Sequence, residues 1–164
     1  MIIRNLILLI SLIFIYGCNS NVNSRENFSE LESLIRKSSL IDLNNKKVDI
    51  KFFKGKRVVV NYWATWCRPC IEEMPGLLRA QKKLKMHNYQ LLMISDESLE
   101  KISNFQKNNK YNFNFQKSNN PNESLGVFSL PTTYFFNDKG KKIETIVGVV
   151  DWDSKRFIEK LINL

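Results

Sequence analysis

Cysteine, histidine, proline and glycine are all scarce in this chain of 164 residues, which holds three, one, four and six of them. Three cysteines are too few for a disulfide-stapled scaffold. Two of them, Cys67 and Cys70, stand three apart and cannot join distant parts of a fold. With His87 as the only histidine, a zinc site built on that pair lacks its fourth soft ligand, so no metal is expected. Low Pro and Gly content, with 43% hydrophobic and 25% charged residues, excludes a low-complexity or disordered chain and suits one globular domain with a small appendage. A long apolar run is also missing. Leu6 to Tyr16, broken only by Ser11, is about half the roughly 20 residues a membrane-spanning helix needs.

That run follows Arg4 and the free amine and leads into Gly17-Cys18, the layout of a signal peptide. Ile15-Tyr16-Gly17-Cys18 resembles a bacterial lipobox, although Tyr16 stands where a small or hydroxyl residue is usual. The resemblance implies that Cys18 is lipidated and becomes the mature N-terminus; ordinary secretion, with Cys18 incidental, is the alternative. The polar stretch Asn19 to Asn27 suits a flexible tether. Residues 1–17 are thus read as a lipoprotein-type signal peptide, 18–37 as the lipidated N-terminus and tether, and 38–164 as the folded domain. Export places the remaining cysteine pair in an oxidising compartment.

The net charge is +9, or +8 once the leader and Arg4 are removed. The lysines are spread through Asn-rich segments and form no dense stripe with interleaved aromatics, so nucleic acid is not the expected partner. Attraction to anionic membrane or partner surfaces fits better, with plain solubility as the alternative.

A helix is expected from Ser29 to Lys37 and a β-hairpin over Leu40 to Phe53, turning at Asn44-Asn45. The β-branched and aromatic run Arg57 to Trp63 reads as a buried strand. From Pro69 to His87 the apolar spacing is helical, with a bend expected at Pro75-Gly76. Strand, helix and short strand follow over Tyr89–Ile94, Ser98–Lys110 and Phe113–Gln116. A hairpin at Asn137–Gly140 joins Thr132–Phe136 to Lys142–Val149, and a helix over 154–162 ends the chain. This order predicts an α/β domain with a mixed central sheet flanked by helices.

Within NYWATWCRPCIEEMP, a strand delivers Cys67 to a helix N-terminus, where free N–H groups and the macrodipole favour a thiolate. Cys67 is then the exposed nucleophile. Cys70, one turn on, shares its helix face and can resolve a mixed disulfide. Pro69 fits the first turn, where its missing N–H costs nothing. At 100° per residue Glu73 lies near the Cys70 face, whereas Glu72 falls nearly opposite.

WATWCRPC, Pro75, and Leu130-Pro131-Thr132 in SLPTTYFFNDKGK together resemble the thioredoxin superfamily, and most closely its TlpA/ResA-like branch of exported, membrane-tethered thiol-disulfide oxidoreductases. The lead-in IDLNNKKVDI and the extra helix and strand between Leu91 and Gln116 suit that branch. The resemblance spans about Ser38 to Leu164. It implies a thioredoxin-like fold with an N-terminal β-hairpin and a central strand-helix insertion. It makes Cys67 the attacking cysteine, Cys70 the resolving one and Pro131 a cis-proline beside them; an ordinary trans proline opening a strand is the alternative.

Trp66 and Leu130, with Pro131, are the expected substrate-binding residues, though Trp66 could equally be a packing residue. Arg68 and Pro69 would tune the redox pair, unless Arg68 is simply solvated. Glu73 would exchange protons near the thiols, or else only complement the helix dipole. Asn61 departs from the buried aspartate of cytosolic-type thioredoxins and shifts that role to Glu73. No cofactor is implied beyond the cysteine pair. The implied partners are disulfide-containing exported proteins, including oxidised apocytochrome c, and a membrane thiol as electron donor; a monomer is expected. The resemblance favours a reductase. A thiol peroxidase, which would want Thr or Ser where Ala64 stands, and a non-catalytic lipoprotein binding module with structural or zinc-bound cysteines are the competing readings.

Overall fold

A computed structural model describes residues 29–163. Cys18, the leader and the tether up to residue 28 lie outside the described residues.

Helix α1 (Glu30–Ser38) starts at Ser29, whose hydroxyl accepts from the Glu32 N–H at 3.2 Å, and buries Leu31 and Ile35. Burial of these two residues moves a boundary: residues 29–37, expected in the tether, belong to the domain. Next come β1 (Ile41–Asp42), β2 (Arg57–Tyr62), α2 (Arg68–Met86), β3 (Tyr89–Ser95), α3 (Leu99–Asn109), β4 (Phe115–Lys117), β5 (Thr132–Phe136), β6 (Lys142–Val147) and α4 (Lys155–Ile162). Short 3-10 helices occupy Ile50–Phe53 and Asn122–Leu125.

The expected N-terminal hairpin is only partly formed. Asp42 accepts from the Asn44 and Lys46 amides and shapes the turn, but the return arm makes a single bridge, Lys47 to Ile41. Asp49 then accepts from the Lys51 amide and caps a 3-10 turn. A side chain that caps its own backbone competes with strand pairing, and here it wins over the alternation of Val48, Ile50 and Phe52. Pro75 sits inside α2, which continues past it to Met86.

Six strands form one mixed sheet in the order β1-β4-β3-β2-β5-β6, with β2, β3 and β4 parallel. The crossovers β2-α2-β3 and β3-α3-β4 step the same way along the sheet. Being right-handed, they place α2 and α3 on one face. There Val59, Trp63, Leu91, Met93, Phe115 and Phe135 pack against α2, α3 and α4. Alternate residues Val58, Val60, Tyr62, Leu92, Ile94 and Phe136 face the opposite way, under α1 and the 3-10 segments. Strand β2 is covered on both faces, which accounts for its nearly unbroken apolar sequence.

Two poles result. Strands β2, β3 and β4 end at one, and β5 begins there, because Tyr62 pairs with Thr132. Cys67 follows β2 at this pole and Pro131 immediately precedes β5. The turns at 43–46 and 137–140, the 50–56 segment and the foot of α2 gather at the other.

Candidate active site

At its carboxyl end β2 gives way to a short loop whose shape is fixed by a carboxylate from the next strand-helix junction. Glu97 accepts from the Thr65 N–H at 2.6 Å and from the Thr65 hydroxyl at 2.8 Å, and its side chain is only 7% exposed. The chain then turns, with the Cys67 N–H donating to the Ala64 carbonyl, and enters α2.

Cys67 is the N-cap of α2, and its sulfur accepts from the Cys70 N–H at 3.4 Å. Pro69 stands in the first turn, where no donor is lost. The two sulfurs are bonded at 2.02 Å, with Cα atoms 5.3 Å apart. Cys70 is 1% exposed, and Cys67, expected to be open to solvent, is only 4% exposed. In this oxidised form the Cys67 sulfur lies against one first-turn amide, that of Cys70.

Arg68, expected to tune the redox pair, is solvated and paired. Its guanidinium donates to Glu72 at 2.7 Å on the outer face of α2, and the side chain is 88% exposed. Its charge is therefore shared with a neighbouring carboxylate and screened by water before it can act on the sulfurs. Trp66 stands out into solvent at 72% exposure and is not a packing residue. The Leu130–Pro131 bond is cis; Pro131 is buried, and Leu130 is half-buried between the two halves of the core. Phe128, Val147 and Val149 are exposed at the same pole.

Glu73 is buried one turn beyond Cys70. Its Oε1 accepts from the Asn61 side-chain amide at 2.8 Å, and its Oε2 accepts from the Val150 N–H at 3.0 Å and the Trp152 indole N–H at 3.3 Å. Asn61 in turn donates to the Thr133 hydroxyl at 3.0 Å. Burial pushes the Glu73 carboxyl above its ordinary value, and the three donors only partly oppose that. A cavity of about 440 Å³ reaches this carboxylate from the surface between Gly76, Arg79, Val149 and Trp152. Glu73 is thus a buried carboxylate with a route to water, suited to receiving and releasing a proton. Glu72 lines the same cavity, but its carboxylate accepts from Arg68 on the outer face of α2.

Asn61, Thr133, Val150, Trp152 and Glu97 are the components that helical spacing does not reveal. One signal for Asn61 was present in the sequence: a lone amide inside the buried run RVVVNYW needs partners, because an unpaired buried amide is costly. Glu97 and Trp152 carry no comparable mark, since each reaches the site from a turn remote in the chain.

A mixed sheet, a cysteine pair capping a helix, and a cis-proline at the same pole define a thioredoxin-fold protein. The AhpC/TSA family model matches residues 32–144. Thiol-disulfide oxidoreductase ResA of Bacillus subtilis (strain 168) is 31% identical over 128 residues, 76% of this chain and 70% of the relative. Thioredoxin-like protein YneN of the same strain is 33% identical over 132 residues, 77% and 75% of the two chains. The chain therefore belongs to the AhpC/TSA family and, within the thioredoxin superfamily, to its ResA-like proteins.

Thiol-disulfide oxidoreductase ResA of Bacillus thuringiensis subsp. konkukian (strain 97-27) is 36% identical over 112 residues, which are 65% of this chain and 64% of that relative's length. Among solved structures, the pneumococcal exposed lipoprotein thioredoxin Etrx1 of Streptococcus pneumoniae strain TIGR4 matches with a TM-score of 0.62 at 26% identity, over 76% of this chain and 97% of that one. A thiol:disulfide interchange protein DsbE from Chlorobium tepidum shares the fold, with a TM-score of 0.65 at 20% identity over 77% and 94%.

Proposed function

We propose that this protein is an exported, membrane-tethered thiol-disulfide oxidoreductase that reduces disulfides in exported proteins. One observation carries the reading: a cysteine pair bonded across the first turn of α2 lies one turn from a buried carboxylate held by three donors. ResA relatives that bear the name thiol-disulfide oxidoreductase support it.

In the reduced enzyme the Cys67 thiolate, favoured by the helix N-terminus, attacks one sulfur of a substrate disulfide. That S–S bond breaks as the mixed disulfide forms, and the departing substrate thiolate takes a proton. Cys70 then gives its proton to Glu73 and attacks the Cys67 sulfur. The Cys67–Cys70 bond closes, and the second substrate thiolate leaves and is protonated. Two electrons have passed from the dithiol to the substrate, and Glu73 returns its proton to water through the adjoining cavity. A membrane thiol donor restores the dithiol. Trp66, Leu130 and the backbone at Pro131 receive the substrate chain, and oxidised apocytochrome c is the substrate class the family resemblance favours. Lipidation at Cys18 supplies the tether.

A Cys70→Ser variant tests this directly. It should accumulate a mixed disulfide through Cys67 with exported proteins, and a folded variant that traps none would sink the proposal. Direction is tested separately by the reduction potential, since about 30 mV corresponds to roughly 1.4 kcal/mol for a two-electron couple. A potential near those of general exported oxidants would reverse it.

The AhpC/TSA match supports a second reading, thiol peroxidase. Ala64 leaves no hydroxyl three residues before Cys67, and the nearby Thr65 hydroxyl is committed to Glu97. Peroxide turnover faster than disulfide exchange by the same preparation would favour that reading instead.

A further inference from the structure

The exposed large apolar side chains of the described residues divide between the two poles. Trp66, Phe128, Val147 and Val149 stand at the disulfide pole, whereas Phe52, 70% exposed, and Met86, 76% exposed, stand at the opposite one. The second pair is set among lysines. The segment Lys46 to Arg57 carries six basic residues against the single acid Asp49. Lys46, Lys47, Lys51 and Lys54 are exposed, as are Lys85 beside Met86 and Lys139 and Lys141 on the 137–140 turn. None of these seven lysines enters an ion pair among the described residues; of the nearby acids, Asp42 and Asp49 cap turns, Asp138 enters no ion pair, and Glu32, which lines a cavity with Lys54 and Lys139, is paired with Arg36. Phe52 holds its place at the tip of the Asp49-capped 3-10 turn, so the ring projects from a fixed backbone.

The chain enters the domain at this same pole. Ser29 lines one cavity with Phe53, Lys54, Gly55, Lys139 and Gly140, and the Leu31 N–H donates to the Gly140 carbonyl at 2.9 Å. Ten residues lie between Cys18 and Ser29, so the eleven steps joining them span at most about 40 Å when extended. A tether of that length keeps the domain near a bilayer without fixing which side faces it.

We propose that the Lys46–Lys56 pole, with Phe52 at its centre and Lys85, Lys139 and Lys141 at its margin, docks on an anionic phospholipid surface. Basic side chains around one inserting aromatic ring match the chemistry of an anionic headgroup layer over an acyl boundary. Docking sets the disulfide pole away from the bilayer by at least the length of β2, about 20 Å for six residues. Trp66 and the cysteine pair then face the aqueous phase, where soluble exported substrates are met. The inference rests on the reading of export and tethering, but not on the redox chemistry.

The test uses the full chain in vesicles of phosphatidylcholine alone or mixed with phosphatidylglycerol, read by hydrogen exchange. Amides of residues 50–57 should exchange at least about fivefold more slowly in the anionic vesicles. High salt and a Lys51→Glu/Lys54→Glu variant should each abolish the difference, since every lysine at an anionic surface contributes about fivefold in binding. Phe52→Ser, which changes no charge, should weaken it while leaving the unfolding midpoint in place. Equal exchange in the two vesicle types overturns the docking. So does equal protection by soluble heparin, which would mark a polyanion site instead of a lipid surface. A chain that does not stay on neutral vesicles removes the tether reading alone, and the docking is then read from lysine-dependent retention on the anionic ones.

Discussion

The side-chain amide of Asn61, next to the carboxyl end of β2, donates to the Glu73 carboxylate at 2.8 Å and ties the sheet to the helix that Cys67 caps. Its second N–H goes to Thr133, so one amide fixes both the neighbouring strand and the carboxylate. Both residues are buried. Asn61→Ala should therefore cost about 1–3 kcal/mol of stability, the penalty for leaving a buried acceptor short of a partner. Chemical denaturation at neutral pH measures it. Asn61→Asp should act differently, because it sets a second carboxylate against the first and drives the proton affinity of the pair upward. The pH profile of disulfide exchange should then shift to the alkaline side. A profile that stays in place would exclude Glu73 from the proton transfer.

Glu73 also gives the fold a pH dependence of definite sign. Its carboxyl is held above the ordinary value of 4.5, chiefly by burial. In the window above 4.5 the folded protein binds more protons than the unfolded chain, so stability falls as pH rises through it. Glu73→Gln removes this contribution. Urea denaturation from pH 4 upward should show the wild type losing stability relative to the variant, although the variant is weaker overall because an amide cannot accept on both sides. Parallel pH curves for the two proteins would contradict the assigned shift.

The fold was largely legible because its strands and helices obey simple periodicities. RVVVNY is apolar on both faces and proves to be a strand covered on both, and the α2 spacing separates Glu73 from Glu72 as the structure does. Local competition was less legible. Asp49 and Asp42 redirect their own backbone, and the alternation at Val48, Ile50 and Phe52 gives no warning of it. Half of the carboxylate's environment was hidden for another reason: Trp152 and Val150 lie almost eighty residues from Glu73, and only the docking of α4 against α2 brings them there. Arg68 illustrates a further limit, since its position between the cysteines gives no sign of the partner it takes four residues on.

Glu97 makes a prediction separable from the chemistry. Its two bonds to Thr65 hold the loop that aims Cys67 into α2, and no other side chain among the described residues bonds to the Thr65 amide or hydroxyl. Glu97→Ala should destabilise the protein by about 2 kcal/mol, in the range for hydrogen bonds to a charged group. Hydrogen exchange should locate the loosening at residues 64–67. Protection there equal to the wild type would show that the loop is held by α2 and the sheet alone.

Trp66 tests whether the disulfide pole receives substrate. At 72% exposure the ring contributes little to the core, so Trp66→Ala should change stability by less than about 0.5 kcal/mol. A large exposed aromatic beside a reactive pair is instead suited to hold an apolar stretch of a partner chain, where aromatics contribute most of their binding through buried area. The variant should raise KM for an unfolded disulfide-bonded protein several-fold while leaving the reaction with a small disulfide, which spans only the sulfurs, close to wild type. An equal loss with both substrates would place Trp66 in the sulfur chemistry, and no loss with either would leave the pole without its anchor.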